Sequence, residues 1–377
     1  MLVDATAIPA NRGGVGRYLE HLMPALGTLG ARLSITCQSR DAAWIAKSSP
    51  TARVITAEGA SHSRPRRLLW EQVGLPRLAR DIGADVIFSP HYTMPLLTPV
   101  PTVVTLHDAT FFSHPELHSR TKRVFFRWWT RISLRRAAAC IVPSVATHDE
   151  LLRMVHPRFD RMSVAYHGVD TAVFHPPTDR QIAVVRELIG AETWIAFLGT
   201  LEPRKNLGSL VRAFETIAAI KGNEGVHLVL AGARGWDGEI EGLITASNVA
   251  SRIHRLGFVD DEVLAGLLGG AALVAYPSLG EGFGLPVLEA MACGAPVLTT
   301  PLLALPEVGG DVASYSAPDA DSLARAITAL LSDPEDRADR SRRGIARAAE
   351  FTWPLCARNH LTVFERAANG EFAKAEE

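Results

Sequence analysis

Glu281 and Glu289 bracket the stretch EGFGLPVLE, with seven residues between them. Gly280, Gly282 and Gly284 leave the backbone amides of this loop uncovered, and Pro286 stands where proline favours the first turn of a helix. A glycine loop that opens into a helix makes an anion site, because the first amides have no partner inside the helix and the dipole aims its positive end outward. A diphosphate suits such a site. The helix is otherwise apolar (Leu285, Val287, Leu288, Ala290, Met291). A carboxylate on such an element needs hydrogen-bond donors, and sugar and ribose hydroxyls would serve. A second stretch, GTLEPRKNL, sets Arg204 and Lys205 side by side after a strand, with Asn206 placed to cap the next helix. Adjacent cations there would offset negative charge as a sugar–phosphate bond breaks. Alone, such a pair reads as a solvated turn. Beside the two glutamates it reads as their counterpart.

The E-x7-E spacing of Glu281 and Glu289, taken with GTLEPRKNL, resembles the donor motif of retaining GT-B glycosyltransferases, and specifically glycosyltransferase family 4 (group 1), mannosyltransferase-like members. The resemblance implies roles. Glu289 would hold the donor ribose and Glu281 the transferred sugar. Backbone amides from Phe283, Gly284 and Leu285 would meet the diphosphate, and Arg204 and Lys205 the donor phosphates. The backbone at Val259, in RLGFVDDEVL, would meet the nucleobase. Asp260 and Asp261 read equally well as the acidic start of a helix. The chain departs from many members at Thr200, where they carry arginine directly after the strand glycine.

These residues need strands and helices to aim them. Continuous apolar runs fit strands at 2–6, 33–37, 52–56, 85–89, 102–108, 140–144 and 162–166, then at 194–199, 227–232, 253–258, 273–278 and 296–300. Continuous rather than alternating runs mark parallel strands covered on both faces. Amphipathic stretches fit helices at 16–29, 122–138, 207–220, 261–268, 286–293 and 320–331. The expected fold is α/β: two Rossmann-like, doubly wound domains facing a cleft, the GT-B arrangement. The first spans 1–172 on the acceptor side, with a C-terminal helix, 353–370, crossing back to it. The second, 173–352, binds the nucleotide sugar. The join falls in VDTAVFHPPTD, which has a proline pair and no period. The first strand is short at its start, so Met1 is either a late start or a trimmed terminus, and a signal peptide is not expected.

In the first domain NRGGVGRYLEHL invites a dinucleotide reading, but Leu19 stands where a third glycine should and no acid ends the second strand. The resemblance instead makes Gly14 part of a loop over the donor phosphate. His107, in TLHDATF, ends a strand and would orient a sugar hydroxyl. His91 and Tyr92 end another and could line an acceptor pocket.

Composition excludes several classes. A net charge of −1 gives no case for nucleic acid. Cys37, Cys140, Cys293 and Cys356 are far apart and read as buried thiols rather than a disulfide or zinc framework. No apolar run suits a membrane span. A cytoplasmic protein is expected, peripheral to the inner face of the plasma membrane if the basic, aromatic segment SRTKRVFFRWWTRISLRR lies on lipid; a packed amphipathic helix is the other reading. The expected partners are a nucleotide sugar and a glycan or lipid-linked acceptor. No cofactor and no metal are expected, since protein cations neutralise the phosphate and no Asp-x-Asp motif ends a strand. GDP-mannose is the first expectation for the donor. A GT-B nucleotide-sugar epimerase is the alternative, and a non-catalytic sugar-nucleotide binder a further rival.

Overall fold

Strands form in this chain where β-branched and apolar residues run together, and a glycine or proline closes several of the runs, as Pro90, Pro143, Gly199, Gly232 and Pro277 do. The computed structural model describes residues 1–8, 13–58, 63–157 and 161–374. Asn11 and Arg12 of the glycine stretch therefore lie outside the described residues. The chain divides into two units, Met1–Gly168 with Thr352–Glu377, and Val169–Phe351. Val169 belongs with the second because its N–H donates to the carbonyl of Phe351 (3.1 Å).

The first unit holds β1 (Leu2–Asp4), β2 (Ser34–Cys37), β3 (Arg53–Thr56), β4 (Ile87–Ser89), β5 (Thr102–Thr105), β6 (Ala139–Val142) and β7 (Met162–Val164). They pair in parallel in the order β3-β2-β1-β4-β5-β6-β7. The second holds β8 (Thr193–Leu198), β9 (Val226–Ala231), β10 (Ile253–Gly257), β11 (Leu273–Tyr276), β12 (Val297–Thr299) and β13 (Ser314–Tyr315), also parallel, in the order β10-β9-β8-β11-β12-β13. Each sheet is the doubly wound α/β form expected. The inner strands are buried along most of their length, whereas β3, at an edge, exposes Arg53 and Thr56. β13 was not anticipated: two half-buried residues carry no hydrophobic period.

The helix Trp353–Ala368 packs into the first unit against the helix Gly13–Thr28. A polar chain fixes this contact. His360 Nδ1 donates to the Cys356 carbonyl (2.8 Å), so its Nε2 accepts from the Tyr18 hydroxyl (2.5 Å), which in turn meets Thr105 Oγ1 (3.0 Å). Where the chain re-enters the unit the backbone is crowded: a Cβ on Gly168 would stand 2.2 Å from the Trp353 nitrogen. All four cysteines are buried free thiols.

Candidate active site

In the second sheet the chain runs from β8 outward to β9 and β10, then returns to lay β11 on the other side of β8. That reversal makes the carboxyl ends of β8 and β11 the switch point, where loops diverge and a ligand can enter. Both sequence motifs sit there. Arg204 and Lys205 lie on a short 3-10 turn, Pro203–Lys205, after β8; Glu281 lies in the loop after β11.

The two loops are joined. The Arg204 carbonyl accepts from Leu279 N–H (2.9 Å), and Arg204 Nη1 donates to the Gly280 carbonyl (2.5 Å). Their side chains meet on Glu281. Its Oε1 accepts from Lys205 Nζ (2.6 Å), Ser278 Oγ (2.6 Å) and Tyr276 Oη (2.9 Å). Its Oε2 accepts from Arg204 Nη1 (2.7 Å). Lys205 also donates to the Tyr276 hydroxyl.

This corrects one sequence expectation. The donors that Glu281 needs come from the chain itself, not only from a sugar. Two lone pairs per oxygen leave Oε1 fully engaged and Oε2 with room for one further donor. Burial raises the Glu281 pKa, but Arg204 and then Lys205 outweigh it and hold the carboxyl at about 2. Burial first, and Arg204 second, push the Lys205 ammonium down from its usual value, while Glu281 pulls it back. The Tyr276 phenol, buried and facing Glu281, is pushed well up and keeps its proton.

Asn206 also differs from expectation. It sits at the start of the helix Leu207–Ala218 with φ 58°, but its side chain makes no cap; Nδ2 donates instead to the Pro318 carbonyl (2.7 Å). Left-handed geometry, which asparagine tolerates, turns the amide away from the helix.

Gly284 caps the helix Leu285–Ala292 at φ 111°, a conformation that suits glycine, and Pro286 occupies its first turn. Leu285 opens this helix, Phe283 packs edge-on against Phe351 (5.9 Å), and Glu289 is buried among the helix's apolar residues. Val259 stands elsewhere, after β10 at the far edge of the sheet, half-buried beside an exposed Phe258. Asp260 precedes the helix Asp261–Gly269 without a side-chain cap. The loops after β8, β9 and β10 are drawn together by Gly232, whose N–H donates to the Gly257 carbonyl (2.7 Å) and whose Cβ, if present, would stand 2.1 Å from the Gly199 carbonyl oxygen.

In the first unit Gly13 and Gly14 open the helix Gly13–Thr28, exposed and with open space around each. His107 follows β5, and its Nε2 faces the Pro90 carbonyl (2.7 Å). A carbonyl only accepts, so Nε2 carries the proton and Nδ1 is the acceptor. Burial lowers the His107 pKa and keeps the ring neutral. Tyr18, His91, Tyr92 and His167 surround it, with ring centres 5.2–6.3 Å away. Tyr92 is a buried brace rather than a pocket wall: its hydroxyl accepts from the Asp108 N–H (2.9 Å).

Sequence reasoning singled out Glu281, Arg204 and Lys205 but passed over Tyr276 and Ser278. Both stand in YPSLGE, where a polar residue on a buried strand end was the available signal.

Known proteins resemble both halves of the chain. The family described as Glycosyltransferase Family 4 matches residues 12–173, and Glycosyl transferases group 1 matches residues 192–333. O-antigen chain mannosyltransferase B of Escherichia coli is 29% identical over 304 residues, 80% of this chain and 77% of that protein. MMP alpha-(1->4)-mannosyltransferase of Mycolicibacterium hassiacum is 30% identical over 287 residues, 71% of this chain and 66% of that protein. Sucrose-phosphate synthase of Thermosynechococcus elongatus superposes with a TM-score of 0.78 at 21% identity, covering 97% of this chain and 98% of that one. The chain belongs to glycosyltransferase family 4 (group 1), and is a mannosyltransferase-like hexosyltransferase of the GT-B fold.

Proposed function

We propose that the chain moves a mannosyl group from GDP-mannose to an acceptor hydroxyl, with retention of anomeric configuration, in the synthesis of a surface polysaccharide or glycolipid. The observation that carries this reading is the Glu281 carboxylate, held by Arg204 and Lys205 at the mouth of a glycine-capped helix. Arg204 and Lys205 face Glu281 and, 3.8 Å from Arg204, Glu202. The uncovered amides at the helix start add the positive end of a dipole, and together with the two cations they suit a diphosphate. The mannosyltransferases among the relatives support the choice of sugar.

In this reading Lys205, Arg204 and the amides from Phe283 to Leu285 hold the diphosphate and stabilise it as it leaves. Glu289 holds the ribose, and the Val259 backbone meets the base. The remaining acceptor site on Glu281 Oε2 takes a hydroxyl of the transferred sugar. Gly14 closes over the phosphate, and His107, neutral and with Nδ1 accepting, receives a sugar hydroxyl. The leaving phosphate takes the acceptor proton, so the sugar–oxygen bond forms on the face from which the phosphate departs. Protein cations do the charge neutralisation, with no metal and no cofactor invoked.

A thermal-shift screen of GDP, UDP, ADP and dTDP sugars tests the donor. GDP-mannose is expected to raise Tm most, by mass action. Incubation with the donor alone separates transfer from isomerisation: rapid appearance of an epimer without acceptor would identify an epimerase and sink the reading.

A further inference from the structure

We propose that one outer face of the first unit docks on an anionic lipid bilayer. The proposal rests on the transferase reading only for what it would reach there, a lipid-linked acceptor.

Three neighbouring segments make the face. On the helix Arg64–Asp81 the exposed positions Arg66, Leu69, Val73, Arg77 and Arg80 recur every three or four residues and so form one stripe. Leu69 is 65% exposed. On the helix Arg120–Arg136 the same spacing joins Val124, Trp128, Arg131 and Arg135, with Val124 66% and Trp128 53% exposed. Between these helices runs the β4–β5 connection, whose Leu97 is 81% exposed.

The segments share one side of the sheet. The helix Arg64–Asp81 links β3 to β4 and the helix Arg120–Arg136 links β5 to β6, both advancing in the same direction across the sheet. Right-handed crossovers place such helices on the same face. Packing agrees: Leu68 of the first helix and Phe125 and Phe126 of the second join one cluster. The connection is pinned to both. Gln72 donates to the Met94 carbonyl (2.9 Å) and accepts from Leu96 N–H (3.0 Å), and Ser133 Oγ donates to the Tyr92 carbonyl (2.7 Å). The opposite sides of the helices, at Leu75 and Ala79 and at Trp129 and Leu134, are buried. The exposed stripes therefore turn outward together.

Single exposed apolar residues need no explanation, but apolar residues gathered on three adjoining segments do. Charge decides the occupant. The helix Arg120–Arg136 carries seven cations and no acid. Arginines flank the apolar residues on each stripe, Arg66, Arg77 and Arg80 on the first and Arg131 and Arg135 on the second, so their guanidinium groups can reach phosphates while their stems stay with the apolar layer. Tryptophan beside arginine suits the headgroup boundary of an anionic bilayer.

Flotation with vesicles of phosphatidylcholine and phosphatidylglycerol, against phosphatidylcholine alone, tests this with the full chain. Binding is expected to the anionic vesicles only, and to weaken as salt is raised. The Trp128→Ser, Leu97→Ser pair should lower partitioning by about tenfold or more. The Arg66→Glu, Arg135→Glu pair should abolish it. Both pairs alter exposed positions and should keep the wild-type Tm and its response to nucleotide sugar. The proposal falls if the wild-type chain ignores anionic vesicles, or if either pair binds as the wild type does. It also falls if the wild type sediments as a dimer that Trp128→Ser makes monomeric, since the face would then seat a second copy. A chain that answers to nucleotide sugar but not to vesicles overturns this inference alone. One that binds vesicles but answers to no nucleotide sugar overturns the transferase reading alone.

Discussion

The Tyr276 hydroxyl is shared between Lys205 and Glu281 and lies on a ring stacked against Phe197, with centres 5.7 Å apart. Tyr276→Phe keeps the ring and removes only the shared hydroxyl. It should lower stability by about 1–2 kcal/mol, the usual consequence of an unmade buried hydrogen bond. It should reduce kcat more than donor affinity, because it loosens the carboxylate without removing a cation. Equal loss in both, measured by steady-state kinetics and donor titration, would mean that Tyr276 only supports the fold. Lys205→Ala takes a charge from the leaving phosphate and should cost about 10²–10³ in kcat; transfer at the wild-type rate would remove Lys205 from the site. Glu281 and Lys205 were legible because each lies within a local glycine, proline and charge pattern. Tyr276 was not, because its importance comes from Lys205, a residue 71 positions away in sequence, and only strand pairing brings them together.

Elements were legible to the extent that they repeat. The twelve strands read from apolar runs all formed, since buried parallel strands have few other options. Their ends shifted by up to three residues, as for TVVTLHD, where β5 stops at Thr105 and leaves His107 and Asp108 in the loop. Edges were less legible: β13 is too short for a period. Caps depended on geometry that residue type does not report, as at Asn206. Gly284 is where an element can be tested directly. Its φ of 111° is foreign to residues with a Cβ, and an added Cβ would stand 3.0 Å from Leu305 Cδ2. Gly284→Ala should cost about 1–2 kcal/mol through the left-handed backbone. It should also weaken the thermal-shift response to nucleotide sugars, because the amides that follow would turn. An unchanged response would show that this helix start takes no part in donor binding.

For the whole molecule, acid should weaken the two units in turn. His360 and His167 are buried in the first unit. Burial foremost lowers both, His360 to about 4 and His167 well below the ordinary 6.5. A histidine held neutral contributes stability that is complete above 6.5 and is lost as pH falls through its folded value. In the second unit Glu281, at about 2 against an ordinary 4.5, loses its contribution only below 4.5, and the lowered His227 and His254 are only half-buried. Glu71 of the first unit, raised by burial to about 7, works in the opposite sense and offsets part of the histidine effect. Hydrogen exchange stepped down from neutral pH should therefore show protection falling first in residues of the first unit. Simultaneous loss, or loss first around β8 and β11, would contradict this. The return of the chain to the first unit has a consequence for its manufacture. The second unit starts at Val169 and ends at Phe351, whose carbonyl accepts the N–H of Val169, so it is an insertion within the first. Domains usually fold in the order in which the ribosome releases them. Here the earliest-made unit lacks one of the two partners of the Tyr18 hydroxyl until His360 emerges. The middle of the chain can finish folding while the beginning still waits for the end, and a ribosome that stalls after Phe351 would leave the first-made unit, not the last, as the client for chaperones.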